Sequence, residues 1–451
     1  LAENARLEWH FGAPTHAITA HIASPVYLLL HIILFAVRTI PSCLAVRLFR
    51  LFSLRDAHAL GWSLQHDVLV GVMRFSARVG SFRAVNALLE LNSFIAKRII
   101  LPLQRRGTST RVAFAEGDAH DAPHAYWISR RALAPARNRR AAVLSALRSA
   151  RAVVFYCHGG GYCVGNAEMY LVEHLSLSAR IESLLGQSSV SGGVGVLSVE
   201  YTLAARGGRV APLLPERGCF PRAIADVVQA YEFLLNAVGG DSTRIVVGGD
   251  SAGGGLVLAL LVHIRDAGHA PPAAALLVSP WVNHFPSHAP MSSYVTARRD
   301  FLLPTTVALF SAQYRGVAPG RGHIDASQLM ALAATREGAA AVAAAADAGG
   351  PPLGIGTVSP TLPLISALSA ELDGLPPCHV SVGGGEIFRD DIERLFRALH
   401  AASPGVGHEL DTGENMVHVY PMISLLGRGS AIGRQHMAAF AARALRSESR
   451  S

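Results

Sequence analysis

A serine stands in the segment Gly-Asp-Ser-Ala-Gly at residues 249–253, between a strand-like run and an apolar, helix-like run. This Gly-x-Ser-x-Gly spacing needs small neighbours, because the serine sits on a sharp turn from strand to helix that exposes its hydroxyl. The helix that begins at such a turn also directs its first N–H groups at the site. The context predicts that Ser251 is a nucleophile rather than part of a tight turn without chemistry.

A serine nucleophile requires a base, and the base requires a carboxylate that fixes its tautomer. With this type of turn the chain order is serine, then acid, then histidine. His418 lies in the segment 413–423, after the last predicted strand, and is the predicted base. His400 lies within a predicted helix and His408 at the start of a predicted strand, so both are predicted to be structural.

Three acidic residues follow the preceding predicted strand: Glu386, Asp390 and Asp391. Glu386 comes first after the strand and its glycines, where a side chain projects over the edge of a sheet. Asp390 and Asp391 fall at the start of a predicted helix, where capping accounts for them without catalysis. Glu386 is therefore the predicted acid, and Asp390 stays open as the alternative.

The segment His-Gly-Gly-Gly at 158–161 directly follows another strand-like run. Acyl transfer develops a negative oxygen, and backbone N–H groups reach it closely only where no side chain intervenes. These glycines and the N–H of Ala252 are predicted to form an oxyanion hole. A phosphate-binding loop is excluded, because the segment has neither a Gly-Lys-Ser/Thr ending nor the glycine spacing of dinucleotide sites.

A sheet must position these residues, and from about residue 150 strand-like and helix-like runs alternate. Such alternation is typical of an α/β fold with a mostly parallel sheet flanked by helices. The predicted strands are 152–157, 194–203, 244–249, 273–281, 378–384 and 408–412. The predicted helices are 169–185, 220–238, 254–268, 391–402 and 430–445. This catalytic domain is predicted to span 111–451, with a hairpin within 110–133 and insertions near 133–150, a surface insertion or exposed helix, and near 318–356.

Residues 1–110 carry apolar side chains at helical spacing and are predicted to form a helical N-terminal region. Within it, residues 22–46 are a candidate membrane anchor, provided that Arg38 snorkels or is paired. The alternative is an apolar helix of a cap over the active site. An anchor predicts a membrane-associated protein, at the endoplasmic reticulum, whereas a cap predicts a soluble intracellular one.

The net charge of +8 is concentrated near the N-terminus, since residues 1–151 carry 20 Lys/Arg against 8 Asp/Glu. These arginines have no interleaved aromatic platform and no nucleic-acid-binding motif, so a nucleic-acid partner is not predicted. A membrane surface or a solvated face is favoured instead. The five cysteines give neither a disulfide framework nor a metal-binding spacing, and Cys157 and Cys163 are predicted to be small buried hydrophobes.

From about residue 150 to its end, the chain resembles the hormone-sensitive-lipase-like branch of the α/β hydrolases. The motifs that carry this resemblance, in chain order, are HGGG (158–161), VEYTL (199–203), FPRAIADVVQAYEFL (220–234), GDSAGG (249–254), SPW (279–281), GGGEIFRDD (383–391) and MVHVYPM (416–422). The resemblance implies the α/β-hydrolase fold and an esterase activity.

The resemblance also implies individual roles. It makes Ser251 the nucleophile and His418 the base. The acid position falls on Glu386, where the family most often has aspartate. The oxyanion donors that it implies are the N–H groups of Gly160, Gly161 and Ala252.

The apolar N-terminal segment, the Ala/Gly-rich insertion and GGGEIFRDD look most similar to fungal membrane-associated members, including steryl acetyl hydrolases. The predicted function is hydrolysis of a lipophilic or short-chain acyl ester, such as an acetylated sterol, without a metal or organic cofactor. One alternative is an inert small-molecule receptor on the same scaffold, although such a receptor usually lacks the nucleophile or the base. A membrane-tethered scaffold would leave the serine, histidine and carboxylate unexplained.

Overall fold

The computed structural model describes the residue ranges 82–104, 107–114, 123–186, 192–204, 219–284, 300–315 and 362–447. The chain divides into two units, Leu1–Phe75 and Ser76–Ser451, and all the described residues belong to the second unit. The candidate anchor at 22–46 and the Ala/Gly-rich insertion near 318–356 lie outside the described residues.

The described residues form an eight-stranded sheet. Its strands are β1 (Thr108–Ala113), β2 (His124–Ser129), β3 (Ala152–Cys157), β4 (Val194–Glu200), β5 (Ile245–Asp250), β6 (Ala274–Val278), β7 (Cys378–Gly383) and β8 (Glu409–Gly413). Their spatial order is β1-β2-β4-β3-β5-β6-β7-β8. β2 is antiparallel to both β1 and β4, and the other neighbours are parallel. The predicted mostly parallel sheet is confirmed, and β1 and β2 form the predicted hairpin.

Helices flank this sheet, as predicted. They are α1 (Phe82–Ile95), α2 (Arg139–Ser149), α3 (Leu171–Leu185), α4 (Arg222–Ala237), α5 (Ala252–Asp266), α6 (Pro304–Tyr314), α7 (Arg389–Ala402) and α8 (Arg428–Ser447). α1 continues through a π-helical turn, Ala96–Ile100, into a last turn, Leu101–Gln104. The 3₁₀ turns are Ser242–Arg244, Ala367–Ser369, Tyr420–Met422 and Ser424–Leu426. α3 packs against α8, and α4 contacts both α2 and α5.

The central strands bring the loops of the site to one edge. β3, β5 and β6 are buried along their whole length, as expected for parallel strands covered on both faces. Cys157 at the end of β3 lies opposite Gly249 of β5, and Gly249 lies opposite Leu277 of β6. The residues that follow these strands, and those that follow β7 and β8, therefore meet above the same edge, where α/β sheets bind their ligands.

Two predicted strands end earlier than their apolar runs suggested. The strand predicted at 194–203 ends at Glu200, and the one predicted at 273–281 ends at Val278. In the second case Ser279 leaves the sheet with a positive φ of 43° and forms side-chain contacts in the site. The residue after this strand thus makes a contact with a distant part of the chain, and a local pattern of apolar residues cannot indicate such a contact.

The Arg/Ala-rich stretch near 133–150 contains the helix α2. The Asn138 side chain caps this helix by accepting the N–H of Ala141 at 2.8 Å. α2 contacts β1 and α4. Its buried residues are Ala142, Val143 and Leu147. One face of the helix in this Arg/Ala-rich stretch therefore packs against the rest of the domain.

No helix among the described residues has both the length and the apolar character needed to cross a bilayer. Membrane association through residues 22–46 stays a prediction, because that segment lies outside the described ranges.

A buried neutral histidine gives the fold a dependence on pH. His174 on α3 is fully buried, and neither of its ring nitrogens has a hydrogen-bond partner in the described part of the chain. Its ring makes an edge contact with Tyr156, with 4.6 Å between centroids. Burial lowers the pKa of His174 to about 3. The folded chain therefore keeps this ring neutral, whereas the unfolded chain protonates it below about pH 6.5.

Replacing His174 with phenylalanine is expected to reduce the loss of stability in mild acid. Above the pKa of the unfolded chain, His174 does not reduce the free energy of unfolding. As the pH falls from there towards the pKa of the folded chain, only the unfolded chain takes up the proton, and the free energy of unfolding decreases by about 2 kcal/mol at pH 5. The measurement is the free energy of unfolding in urea at about pH 7.5 and at pH 5. Its decrease between these two pH values should be smaller in the variant than in the wild type by this amount. His400→Phe, at an exposed position, should keep the wild-type difference. An unchanged difference in His174→Phe would contradict the assignment.

Candidate active site

Ser251 stands on the turn between β5 and α5, with φ 52° and ψ −121°. A non-glycine residue with this φ is strained, and surrounding contacts must hold it there. Its N–H donates to the carbonyl of Val278 at 2.9 Å, and its carbonyl accepts the N–H of Trp281 at 2.8 Å. The turn also requires Gly253, because a Cβ at that position would overlap the carbonyl of Cys157. The strand, turn and helix predicted around Ser251 are all present.

The glycines of the predicted oxyanion hole follow β3. Gly160 and Gly161 have φ values of 113° and 61°, in the region that favours glycine. A Cβ on Gly160 would overlap the carbonyl of Val164, and a Cβ on Gly161 would overlap the ring of Phe310 from α6. Ala252, the third predicted donor, is the first residue of α5. Both glycine positions therefore exclude other side chains, and α6 lies directly against the loop.

One carboxylate links the nucleophile turn to the glycine loop. Asp250, next to Ser251, is buried and accepts the N–H of Gly159 at 2.9 Å. The hydroxyls of Tyr156 and Tyr170 donate to the same carboxylate at 3.1 and 2.9 Å. Burial raises the pKa of Asp250 to about 6, although these hydrogen bonds act to lower it. Asp250 thus holds the glycine loop in a fixed position relative to the turn.

The predicted base and acid lie in contact, in the loops after β8 and β7. Nδ1 of His418 lies 3.3 Å from Oε1 of Glu386, and both side chains are buried. With Nδ1–H donating to the carboxylate, Nε2 carries the lone pair that can accept a proton. Nε2 has no hydrogen-bond partner in the described ranges, so the structure does not join it to the Ser251 hydroxyl. In enzymes without substrate such contacts are often long and tighten only in the complex.

The second oxygen of Glu386 is also held. The Ser279 hydroxyl donates to Oε2 at 2.6 Å, and the N–H of Gly383 donates to it at 2.6 Å. The Ser279 hydroxyl in turn accepts the N–H of Val419 at 2.9 Å. Ser279 therefore connects Glu386 to Val419, the residue that follows His418.

Another buried carboxylate, Asp300, lies beside the base. Its Oδ1 accepts the N–H of His418 at 3.3 Å and that of Phe301 at 2.8 Å. Its Oδ2 accepts the N–H of Ile387 at 2.9 Å. Burial raises the pKa of Asp300 to about 6. The backbone amides of His418 and of Ile387, the residue after Glu386, thus share one carboxylate.

The charges around His418 raise its pKa. Burial acts to lower it, because an imidazolium loses its hydration. The hydrogen bond and charge of Glu386, together with the charges of Asp300 and Asp250, outweigh that effect. The pKa of His418 therefore lies above its ordinary value. This environment favours the imidazolium, which is the form that a general base adopts after it accepts a proton.

Aromatic rings surround the base and the glycine loop. Phe301 and Phe388 make edge contacts with the His418 ring, with centroids 5.9 and 5.2 Å apart, and both are buried. The ring of Phe310, on α6, lies against Gly161. The surroundings of the His418 ring and of Gly161 are therefore partly apolar.

The alternative acids lie at the start of α7, as predicted. The Asp390 side chain is half-exposed and pairs with Arg389 at 3.6 Å. Asp391 accepts hydrogen bonds from Asn283 at 3.2 Å and from Arg394 at 3.1 Å. Among the contacts of the described residues, neither aspartate bonds to the base.

The two histidines predicted to be structural make other contacts. Nδ1 of His408 accepts the N–H of Cys378 at 3.2 Å, and His400 stacks on Phe396 with centroids 6.3 Å apart. The thiols beside the glycine loop are free and buried, as predicted: Cys157 and Cys163.

Three groups that hold the site escaped the sequence analysis: the carboxylates of Asp250 and Asp300 and the hydroxyl of Ser279. Asp250 and Ser279 carried a signal, since each lies at the carboxyl end of a strand that reaches the site. Asp300 directly follows no strand of the described ranges and belongs to no motif, so nothing in the local sequence marks it.

The chain is similar to known proteins in sequence and in fold. Residues 154–348 match the family model described as the alpha/beta hydrolase fold. The chain is similar to an acetyl-hydrolase from Streptomyces hygroscopicus, with 31% identity over 277 residues that cover 61% of this chain and 71% of the relative. It is also similar to the esterase LipI from Mycobacterium tuberculosis, with 28% identity over 274 residues that cover 59% of this chain and 65% of the relative.

The fold of this chain is also similar to that of a solved structure. The crystal structure of an esterase from the bacterial hormone-sensitive lipase family has a TM-score of 0.58 and 25% sequence identity, and the match covers 85% of this chain and 99% of that one. The predicted α/β-hydrolase fold is therefore confirmed.

Proposed function

Since the chain belongs to the hormone-sensitive-lipase-like family of α/β hydrolases and is a carboxylic ester hydrolase, we propose that Ser251, His418 and Glu386 form its catalytic triad. The observation that carries this proposal is the buried pair of His418 and Glu386, which lies at the same sheet edge as the Ser251 turn. The proposed oxyanion donors are the N–H groups of Gly160, Gly161 and Ala252.

In the proposed reaction, the Ser251 oxygen attacks the carbonyl carbon of the ester while Nε2 of His418 takes the hydroxyl proton. A carbon–oxygen bond forms, and the carbonyl electron pair moves onto the oxygen, which the donor N–H groups stabilise. Glu386 holds Nδ1–H of the resulting imidazolium. His418 then gives its proton to the leaving alcohol as the ester bond breaks. Water repeats both steps on the acyl-enzyme and releases the carboxylic acid.

The proposed substrate is a short-chain or lipophilic acyl ester, with an acetylated sterol as the candidate. The rings of Phe301, Phe388 and Phe310 support an apolar substrate, because they flank the base and the glycine loop. The name of the similar Streptomyces hygroscopicus protein, an acetyl-hydrolase, supports an acetyl group.

The proposal is tested with the purified full chain on 4-nitrophenyl esters of increasing acyl length and on an acetylated sterol. We expect hydrolysis of short acyl esters, and stoichiometric labelling of Ser251 by a fluorophosphonate, located by peptide mass spectrometry. Chain denatured before addition of the probe is the control and should stay unlabelled, because reactivity requires the folded base.

Two outcomes would reject different parts of the proposal. An inert receptor would neither hydrolyse any ester nor take up the probe, and that result would overturn the triad. Hydrolysis of nitrophenyl esters without release of acetate from the sterol ester would retain the triad and reject the sterol substrate.

A further inference from the structure

Asp300 connects the two loops that carry the proposed acid and base. Its Oδ2 accepts the N–H of Ile387, which directly follows Glu386. Its Oδ1 accepts the N–H of His418 itself. The carboxylate thus joins the backbone of one loop to the backbone of the other, at the point where their side chains meet.

Ser279 makes the complementary connection. Its hydroxyl donates to the Glu386 carboxylate and accepts the N–H of Val419, the residue after His418. The two adjacent pairs, Glu386 with Ile387 and His418 with Val419, are therefore linked twice, once by a hydroxyl and once by a carboxylate. Two separate links leave little freedom for the acid to shift or rotate relative to the base.

The burial of the Asp300 carboxylate costs free energy, which the interactions of this side chain must offset. Its side chain is fully buried, and burial of a carboxylate is unfavourable, as the rise of its pKa to about 6 reflects. Asparagine has nearly the same shape without the charge. Both oxygens of Asp300 accept backbone N–H groups, whereas an asparagine has one acceptor oxygen and could not accept on both sides. A base that becomes positively charged during turnover gains, in addition, from the negative charge.

We propose that Asp300 is a positioning residue for the ester hydrolysis: its two oxygens align the loops of Glu386 and His418, and its charge faces the imidazolium of the reaction. This inference rests on the proposed triad. Asp300 acts through His418 and Glu386 and is given no contact with the substrate.

The substitution Asp300→Asn separates these contributions. In the wild type, the N–H groups of His418 and Phe301 both donate to Oδ1 of Asp300. The asparagine is therefore expected to place its amide oxygen at the position of Oδ1. The NH₂ group then faces the N–H of Ile387, and two donors oppose each other. The variant loses one link between the loops and the negative charge beside the base.

We expect Asp300→Asn to lower kcat by about 10- to 100-fold and to change KM by less than about threefold. The acid limb of the kcat/KM profile should also move to lower pH, by about half a unit or more, because the imidazolium loses one facing charge. The charged groups that face His418 in the described structure are Glu386, Asp300 and Asp250. Glu386 and Asp250 remain in the variant.

The matched control is Asp226→Asn. Asp226 is also buried, and it accepts the N–H of Thr202 from another segment and pairs with Arg222 at 3.1 Å. Its loss should lower the Tm while kcat and the acid limb stay at wild-type values. Circular dichroism at the assay temperature reports the folding of both variants.

Each result decides the inference. Wild-type kcat in Asp300→Asn, or a lower kcat with an unmoved acid limb, overturns it. If that variant does not fold, Asp300→Glu keeps the charge and displaces its oxygens, so kcat should fall while the limb stays; wild-type kcat would again overturn the inference. A wild type that hydrolyses no ester overturns the proposed function, whereas an active wild type with an unaltered variant overturns only the role of Asp300.

Discussion

Replacing Ser251 with alanine is expected to lower kcat by at least about 10⁴-fold. Alanine has no oxygen that could form the acyl-enzyme. The contacts of the turn with Val278 and Trp281 use only the backbone and remain, so the Tm should stay close to that of the wild type. The measurement is kcat on the best nitrophenyl ester, with fluorophosphonate labelling of the same preparation, which should disappear.

Ser149→Ala is the matched control for this experiment. Ser149 lies exposed at the end of α2, where its hydroxyl donates to the carbonyl of Ser145 at 3.0 Å. Its removal should leave kcat unchanged. If Ser251→Ala kept about a tenth or more of the wild-type kcat, the nucleophile would have to be another group.

Replacing Glu386 with glutamine is expected to lower kcat by about 10³- to 10⁴-fold. Ser279 and Gly383 both donate to Oε2, so the glutamine must place its carbonyl oxygen there and turn its NH₂ group towards His418. Nδ1 then has to accept a hydrogen bond, and Nε2 carries the proton. A ring in this tautomer cannot take the proton of Ser251. The measurement is kcat and KM across pH, with circular dichroism to verify the fold.

Asp390→Asn is the control for Glu386→Gln, because it removes a carboxylate four residues later on the same segment. The Asp390 side chain is half-exposed and pairs with Arg389, so its neutralisation should leave kcat within about twofold of the wild type. The reverse pattern, with an active Glu386→Gln and an inactive Asp390→Asn, would assign the role of acid to Asp390.

The strand, turn and helix around Ser251, the proposed nucleophile, could be predicted from the sequence because this geometry is local. A strand, small neighbours and an apolar helix fix the turn of Ser251 within about ten residues. Glu386 could be favoured over Asp390 for a similar reason, since a helix start accounts for the second residue and not for the first. The alternation of strands and helices likewise predicts a parallel sheet, because parallel neighbours need crossover connections.

The supporting contacts could not be predicted, because they join segments far apart in the chain. The Asp300 carboxylate meets Ile387 and His418 across 87 and 118 residues, and Tyr170 reaches Asp250 across 80. No periodicity within one element encodes such pairs. Ser279, directly after β6, likewise meets Glu386 across 107 residues.

Asp250 connects the backbone beside the nucleophile to the glycine loop, and two tyrosines hold it in place. The proposed attacking oxygen and the proposed oxyanion donors are therefore held together by a carboxylate at the end of β5, which like β3 is buried along its whole length. Local opening is least frequent in such regions. Thermal inactivation should accordingly coincide with cooperative melting of the sheet, so that the enzyme remains competent up to the temperature at which it unfolds.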